Sequence, residues 1–263
     1  MTGAPIVVKI GGSTLGSHDT TLKDLVTLQK QGVDVVVVHG GGNVISQWMQ
    51  RQGIPPRFVD GLRVTDAASL EIVVAVLSGL INKELVSSLQ QMGGRAIGIS
   101  GVDGNLLEAH IANPDLGFVG EVSQVNGEPL RALLDGGFIP MIAPVGRHRD
   151  DGSEHAGSPL NINGDTVAGE LAYALEAERL VFLTDVAGIL DGSNRLIPRL
   201  NRRRANILFQ SGVVRGGKIP KLSACLRALE RSPIANVVDG RRPEALLDCL
   251  RGVSTGTTII GEV

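Results

Sequence analysis

The sequence predicts an α/β fold, a three-layer αβα sandwich in which helices cover both faces of a mostly parallel central sheet. Six short apolar runs, rich in valine and isoleucine, alternate with helical patterns along the 263 residues. The runs are nearly continuous rather than alternating, as expected for strands that are buried on both faces. Alternation of strands and helices implies right-handed crossovers between parallel strands.

The elements follow in order. The predicted strands are Ile6–Ile10, Val33–Val38, Ala96–Ser100, Phe138–Val145, Leu180–Leu183 and Ala235–Val238. The predicted helices lie at about Thr20–Gln31, Asn43–Gln52, Asp66–Met92, Pro129–Asp135, Asp165–Ala177, Arg202–Gln210, Lys218–Arg231 and Pro243–Cys249. Residues 117–127 differ, because apolar residues flank Gly120 and the turn signal Asn126-Gly127 follows them. This pattern predicts a β-hairpin beside the main sheet.

Composition excludes several classes of protein. Twenty-five basic and 27 acidic residues give a net charge of −2, which offers no bulk attraction to nucleic acid or to an anionic membrane. No stretch approaches the roughly 20 apolar residues of a membrane span. The N-terminus lacks the pattern of a signal peptide, and Cys225 and Cys249 have no metal-like spacing. We therefore expect a cytoplasmic protein with two reduced core thiols and no metal site of its own.

Two glycine-rich segments follow predicted strands. The first is Lys9-Ile10-Gly11-Gly12-Ser13, and the second is His39-Gly40-Gly41-Gly42-Asn43, which opens a helix. Glycines let backbone amides approach an anion, and the helix dipole favours negative charge at its N-terminus. Each segment could also be a simple tight turn. Neither is a Walker A sequence or a dinucleotide fingerprint, so the usual nucleotide folds are disfavoured.

Four further motifs carry polar groups. Arg63 in Gly61–Asp66 precedes a long helix and offers a fork for a carboxylate, although a surface arginine near a helix cap would look the same. Asn161 and Asn163 precede Asp165 at a helix start, where an acid also suits the dipole. A polar turn follows Leu183, and Lys218 and Lys221 lie at a helix start, where a bound polyphosphate would explain them.

Taken together and in this order, the six motifs resemble the amino-acid kinase superfamily, and within it the branch that phosphorylates N-acetyl-L-glutamate. The resemblance extends from Val7 to the Gly256-Thr257 turn. Its sharpest marks are the His39 glycine segment, Gly61-Leu-Arg-Val-Thr, Gly117-Phe-Val-Gly-Glu and Asn161-Ile-Asn-Gly-Asp. Members of this superfamily transfer the γ-phosphoryl group of ATP.

The resemblance implies a role for each motif. It makes Lys9, Lys221 and Asp165 catalytic, with the lysines flanking the transferred phosphoryl group and Asp165 holding them. It assigns substrate binding to Gly41, Gly42, Arg63, Asn161 and Asn163. It assigns ATP binding to Gly11, Gly12, Asp185, Val186, Ala187, Gly188, Ile189, Leu190, Val213, Val214, Arg215, Gly216, Gly217 and Lys218. ATP is expected to bring its own Mg²⁺, without a protein cage.

The resemblance also implies one amino-acid kinase domain, residues 1–263, made of two lobes. Residues 1–160 would bind the acceptor and form a homodimer, and residues 161–263 would bind ATP. Arginine-inhibited members carry an extra helix before the first strand. In this sequence the first predicted strand already begins at Ile6, so we expect the protein to be insensitive to arginine. Two departures are Lys218, where the family usually has Met, and Gly164, where it commonly has Ala.

Two alternatives stay open at this stage. One is a kinase of the same fold that acts on carrier-bound α-aminoadipate in lysine biosynthesis. The intact Gly61–Thr65 segment and Asn161 favour N-acetyl-L-glutamate and arginine biosynthesis over it. The other is a non-catalytic relative that binds a nucleotide or an amino acid, against which the full set of charged residues counts.

Overall fold

The computed structural model describes residues 3–11, 20–211, 218–253 and 256–261. It confirms the α/β sandwich with a mostly parallel central sheet. The strands are β1 (Ile6–Ile10), β2 (Val35–His39), β3 (Phe58–Val59), β4 (Leu62–Arg63), β5 (Ala96–Ser100), β6 (Leu107–Ile111), β7 (Val119–Val125), β8 (Ile139–Ala143), β9 (Val145–His148), β10 (Pro159–Ile162), β11 (Arg179–Thr184), β12 (Arg199–Asn201), β13 (Ile234–Asp239) and β14 (Gly256–Ile260).

Helices cover both faces of the sheet. They are α1 (Thr21–Lys30), α2 (Gly42–Arg51), α3 (Ala67–Val74), α4 (Asn82–Gln91), α5 (Glu128–Asp135), α6 (Gly164–Ala174), α7 (Arg202–Gln210), α8 (Lys218–Ala228) and α9 (Ala245–Leu250). A π-helical turn, Ala75–Ile81, joins α3 to α4, and short 3₁₀ turns lie at Asp103–Asn105 and Pro114–Leu116. All eight predicted helices are found, the third of them interrupted by the π turn.

Eight strands form the central sheet in the order β12-β14-β13-β11-β1-β2-β8-β5. The β13–β14 pair is antiparallel, and the other neighbouring pairs in this sheet are parallel. Ligands of open α/β sheets bind beyond the carboxyl ends of the parallel strands. At the middle of this sheet, that edge is formed by the ends of β11, β1 and β2.

The predicted strand Phe138–Val145 is wrong in one respect, because the chain forms two strands there. β8 belongs to the central sheet, whereas β9 leaves it after Pro144 and pairs with β10 and β6. Both strands are buried, so their residues form one continuous apolar run in the sequence, and the hydrophobic pattern does not show where one strand ends and the next begins. His148 ends β9 and is only 4% exposed.

A small closed barrel of strands β10-β7-β6-β9 stands beside the main sheet. The predicted hairpin within residues 117–127 is corrected here: that segment holds one strand, β7, whose antiparallel partner β6 comes earlier in the chain. A hairpin is therefore present, but it spans residues 107–125. The glycine at position 120 lies against Leu160 across the barrel, where a Cβ would stand only 3.0 Å from the Leu160 side chain.

The long helical segment 67–91 differs from the expectation that no stretch of the chain is long and apolar enough to span a membrane. By length and composition alone, it is one helix apolar enough to cross a membrane. Core helices of α/β proteins meet the same criterion, and this helix packs Val73, Leu77 and Ile81 into the core under β2 and β8. Its inward face is thus occupied by the sheet.

Helices α6 and α8 pack closely on the opposite face of the sheet. A Cβ on Gly169 would lie 2.8 Å from the backbone of Ala224, closer than real atoms approach. This contact lets α8 approach α6, and it places the start of α8 beside the start of α6. The close approach depends on a glycine at position 169.

We predict that Gly169→Val forces the two helices apart and lowers the free energy of unfolding by about 1–3 kcal/mol, as overpacked cores generally do. Urea unfolding followed by circular dichroism measures the change. Gly192→Ala is the matched control, because nothing lies within 4 Å of a Cβ at that exposed turn. Equal midpoints for the two variants would contradict the argument.

Candidate active site

A carboxylate lies between two lysines at the carboxyl edge of the sheet. The Lys9 Nζ lies 2.8 Å from Asp165 Oδ1, and the Lys221 Nζ lies 3.0 Å from Asp165 Oδ2. The two lysines are 212 positions apart in the sequence, and each side chain is 13% exposed. The structure thus brings together the three residues for which the sequence predicted a catalytic role.

Each of the three side chains is held by its element. Lys9 lies on β1 and is in register with Phe182 of β11, so both side chains leave the same face of the sheet. The Lys221 Nζ lies 4.7 Å from the centroid of the Phe182 ring. Asp165 is in the first turn of α6, where Asn163 caps the helix by accepting hydrogen bonds from the N–H groups of Asp165 and Thr166.

The charge on Asp165 is stabilised by its two partners. Burial alone would raise the pKa of this carboxyl. Attraction to the ammonium groups of Lys9 and Lys221, with their hydrogen bonds, outweighs burial, so the pKa of Asp165 lies below its ordinary value. The group of three carries a net charge of +1, which is suited to an anion that arrives from the cavity.

A cavity of about 230 Å³ opens next to Lys9 and Asp165. It is lined by Gly40–Gly42, by Arg63 and by the segment from Asn161 to Gly164. The space above Gly164 is modest but free: a Cβ there would meet Lys9 Cε at 3.5 Å, an ordinary contact. An alanine at this position would therefore fit.

The glycine segment forms one wall of the cavity. Gly41 is the N-cap residue of α2, and Gly42 is its first residue, so their amides have no partner within the helix. A Cβ on Gly41 would clash with Ile81 and would lie 2.7 Å from Leu77 Cδ2. Glycine lets the chain pass close to the π turn without displacing these two side chains, which accounts for one of the three consecutive glycines without reference to a ligand.

Arg63 lines the cavity from the β3–β4 hairpin and is only 7% exposed. Its Nη2 donates to Gly42 O at 2.8 Å and to Ser46 Oγ at 2.9 Å, and its guanidinium lies 4.7 Å from the Phe58 ring centroid. These contacts fix the side chain, so it is a positioned cation rather than a solvated surface arginine.

Asn161 is held by Thr65, which is fully buried. The Asn161 Nδ2 donates to Thr65 Oγ1 at 3.0 Å, and Thr65 in turn donates to Arg63 O. Asn163 also lines the cavity. Its Oδ1 accepts the hydrogen bonds of the helix cap, which leaves its NH₂ group for a ligand, so direct substrate binding by Asn163 stays a prediction.

The residues predicted to bind ATP are only partly described. Gly12, the run 213–217 and the Lys218 side chain lie outside the described residues. The Gly11 N–H donates to Leu183 O at 3.0 Å, so this amide is already used between strand ends. In the turn 185–190, Asp185 and Ala187 are exposed, whereas Ile189 is a core residue whose N–H donates to Thr257 Oγ1 at 2.8 Å.

Sequence reasoning gave no role to two buried polar residues next to the glycine segment, His39 and Asn82. Both are 0% exposed. Asn82 lies inside a long helical pattern, and nothing in the neighbouring sequence marks it as functional. His39 stands out in the sequence only as the residue before the three glycines. Burial lowers the pKa of His39 to about 4, and the nearby charges of Lys9 and Lys83 also lower it. His39 is therefore neutral at pH 7.

Because the folded-state pKa of His39 lies below the unfolded value of about 6.5, the unfolded chain binds the proton first as the pH falls. Stability from the neutral imidazole is full above pH 6.5 and is lost between about pH 6.5 and pH 4. We predict that the difference in unfolding free energy between wild type and His39→Leu shrinks by about 3 kcal/mol between pH 7 and pH 4.

Urea titrations at several pH values measure this difference. His155→Leu, which removes a histidine whose side chain is 42% exposed, is the control. A difference between wild type and His39→Leu that stays constant with pH would contradict the predicted burial of a neutral His39.

Comparisons with known proteins show the family of this chain. The model of the amino acid kinase family matches residues 4–238. Acetylglutamate kinases of Dehalococcoides mccartyi (strain BAV1) and Synechococcus sp. (strain CC9605) are 44% and 46% identical, over 98% of this chain and 94% and 90% of theirs.

Among solved structures, smu.665 of Streptococcus mutans UA159 aligns with a TM-score of 0.82 at 26% identity, over 98% of this chain and 99% of that one. N-acetylglutamate synthase from Neisseria gonorrhoeae, complexed with coenzyme A and N-acetyl-glutamate, aligns with a TM-score of 0.84 at 26% identity, over 100% of this chain and 61% of that one. The family match and the full-length relatives show that this chain belongs to the amino acid kinase family.

Proposed function

We propose that this protein transfers the γ-phosphoryl group of ATP to the γ-carboxylate of N-acetyl-L-glutamate and is an enzyme of arginine biosynthesis. The observation that carries the proposal is the ion-pair chain Lys9–Asp165–Lys221 beside the cavity. The products are N-acetyl-L-glutamyl 5-phosphate and ADP. The names of the full-length relatives at 44–46% identity support this substrate.

The reaction needs positioning and positive charge more than covalent help. A γ-carboxylate oxygen attacks the γ-phosphorus, and the bond from phosphorus to the bridging oxygen of ADP breaks. The carboxylate is already ionised at pH 7, so no general base is needed. Lys9 and Lys221 offset the repulsion between the two anions and stabilise the charge that spreads over the phosphoryl oxygens.

Asp165 has a positioning role in this scheme. Two ammonium groups held near one point repel each other, and the carboxylate between them offsets that repulsion and fixes their directions. Since both of its oxygens face lysines, Asp165 is poorly suited to bind a metal. Within the described ranges no three histidine, cysteine or acidic side chains group as metal ligands. A Mg²⁺ ion carried by ATP would neutralise charge on the phosphates.

The acceptor would be bound on the cavity side. Arg63 is the positioned cation for the α-carboxylate, and Asn161, held by Thr65, offers its carboxamide to the same end of the substrate. The amides of Gly41 and Gly42 would face the reacting anions at the start of α2. The exposed residues Asp185 and Ala187, beyond the end of β11, lie on the side proposed for the nucleotide.

The order of the sheet supports two lobes within one domain. Strands β1, β2, β8 and β5 come from residues 1–160, and strands β11, β13, β14 and β12 come from residues 161–263. The lobes meet where β1 pairs with β11, next to Lys9.

A homodimer is proposed through the helical segment 67–91, which belongs to the first lobe. Its sequence from Ile72 to Asn82 has no charged residue, and Ala75 and Gly79 on it are exposed. Two copies could pack closely along these small residues. A cytoplasmic location is proposed with it, and the two free, buried cysteines are consistent with that location.

Acceptor choice is tested by trapping the acyl phosphate. We predict that wild type with Mg-ATP and N-acetyl-L-glutamate releases ADP and, with hydroxylamine, yields the hydroxamate. Carrier-bound α-aminoadipate is the competing acceptor, and unacetylated L-glutamate is the control. Turnover with the aminoadipate carrier alone would overturn the assignment, and nucleotide binding without ADP release would favour a non-catalytic relative.

The role of Lys221 is tested against its neighbour in the same helix. We predict that Lys221→Met lowers kcat about a hundredfold or more, because the transferred phosphoryl group loses a full positive charge. Lys218→Met should change kcat less than about fivefold and act mainly on the KM for ATP, which Lys218 is expected to bind, since Lys221 is the lysine seen to pair with Asp165. The reverse ranking in the same ADP-release assay would assign the catalytic role to Lys218.

A further inference from the structure

A fully buried carboxamide sits behind the glycine segment, on the face of the sheet opposite Lys9. Asn82 begins α4, and its Nδ2 lies 2.8 Å from Met141 O on β8 and 3.1 Å from His39 Nε2 at the end of β2. Placing an amide in a core requires that its donors and acceptors be satisfied. The interactions of Asn82 join the long helix to two strands of the sheet.

The chain makes specific room for this side chain. The Asn82 N–H donates to Leu77 O, a bond of the π type that widens the helix turn. π turns inside α-helices frequently lie at functional sites. On the sheet, a Cβ at Gly98 would clash with Asn82 Oδ1 and would lie 2.9 Å from Asn82 Cγ. The π turn on one side and a glycine on the other together accommodate one carboxamide.

The hydrogen bonds determine which nitrogen of His39 carries its proton. Met141 O can only accept, so the Asn82 atom that faces it is the NH₂ group, and the Asn82 Oδ1 accepts from Lys83 Nζ at 3.0 Å. The second hydrogen of the NH₂ group has two acceptors in range, and His39 Nε2 at 3.1 Å is closer than Ile99 O at 3.5 Å, so the NH₂ group donates to His39 Nε2. The proton of the neutral imidazole lies on Nδ1, which donates to Gly40 O at 3.0 Å.

This last hydrogen bond acts on the cavity wall. The C=O of Gly40 and the N–H of Gly41 belong to one trans peptide and point in opposite directions, so fixing one fixes the other. The peptide before Gly40 is held as well, because the Gly40 N–H donates to Ile10 O at 2.9 Å. The side chains of Leu77 and Ile81 from the π turn fill the space beside Gly41 that a Cβ would need.

We propose that Asn82 and His39 are positioning residues for phosphoryl transfer: Asn82 holds His39 as the neutral Nδ1–H tautomer, and His39 fixes the peptide that aims the Gly41 N–H at the reacting anions. The proposal rests on the proposed function. It adds to that function that the glycine segment is held by hydrogen bonds from the face of the sheet opposite Lys9.

The surroundings keep the imidazole neutral. Asn82 faces it from the helix, and the charged groups near it, Lys9 and Lys83, are both cations. A protonated ring would point an N–H at the Asn82 NH₂ group and would break the chain of hydrogen bonds. Burial and the two lysines hold the pKa of His39 near 4, so the chain persists at neutral pH.

The kinetic test compares His39→Leu, His39→Asn and Asn82→Leu. His39→Leu and Asn82→Leu should lower kcat about ten- to a hundredfold, with each KM changed less than about threefold, because a misdirected amide acts mainly on the transition state. Asparagine places an NH₂ group near the position of the histidine Nδ1, so His39→Asn should stay within about fivefold of wild type.

A stability control uses the same long helix. Leu89 is fully buried at its far end, away from the cavity, so Leu89→Ala destabilises the helix without touching the glycine segment. It should leave kcat within about twofold of wild type below its melting temperature. Equal loss of kcat in His39→Leu and His39→Asn, or a comparable loss in Leu89→Ala, would overturn the proposal.

The tautomer is measured directly by long-range ¹H–¹⁵N NMR of the imidazole of His39, assigned with His39→Asn. We expect the Nδ1–H form with no titration above about pH 5.5, and an altered tautomer ratio in Asn82→Leu. An Nε2–H form in wild type would overturn the proposal. This measurement needs no substrate, so it separates failure of the positioning geometry from failure of the proposed reaction, which the wild-type ADP assay reports.

Discussion

The site depends on one buried interaction, the carboxylate of Asp165 between the ammonium groups of Lys9 and Lys221. Two cations and one anion in a largely buried place are stable only if all three are held at hydrogen-bonding distance. The fold provides this through the central strand β1, the asparagine cap of α6 and the close packing of α8 on Gly169. A substitution that disturbs any of these three features would move a charged group out of its ion pair.

The two faces of the sheet contribute different groups to the cavity. Lys9 leaves the face that is covered by α6 and α8, whereas His39 leaves the face that is covered by the π turn. The glycine segment passes between them at the sheet edge. Side-chain charges thus come from one side and directed backbone dipoles from the other, and phosphoryl transfer between two anions makes use of both.

Much of the fold was predictable because its central strands are buried on both faces and read as continuous apolar runs. The barrel strands were less visible. β6 and β7 are only partly buried and mix polar and apolar residue types, and β9 continues the apolar run of β8. The lysine–aspartate group was predictable only from the order of motifs. Asn82 could not be predicted, because its role arises from three strands and a π turn that are distant in sequence.

The pairing of β1 with both β2 and β11 has a mechanical consequence. The two lobes are joined by hydrogen bonds between neighbouring strands of one continuous sheet. They therefore cannot open by a hinge in a flexible linker. Any relative rotation has to be a change of twist that is spread along the eight strands. Atoms on the innermost strands move least in such a deformation, and Lys9 stands on one of them.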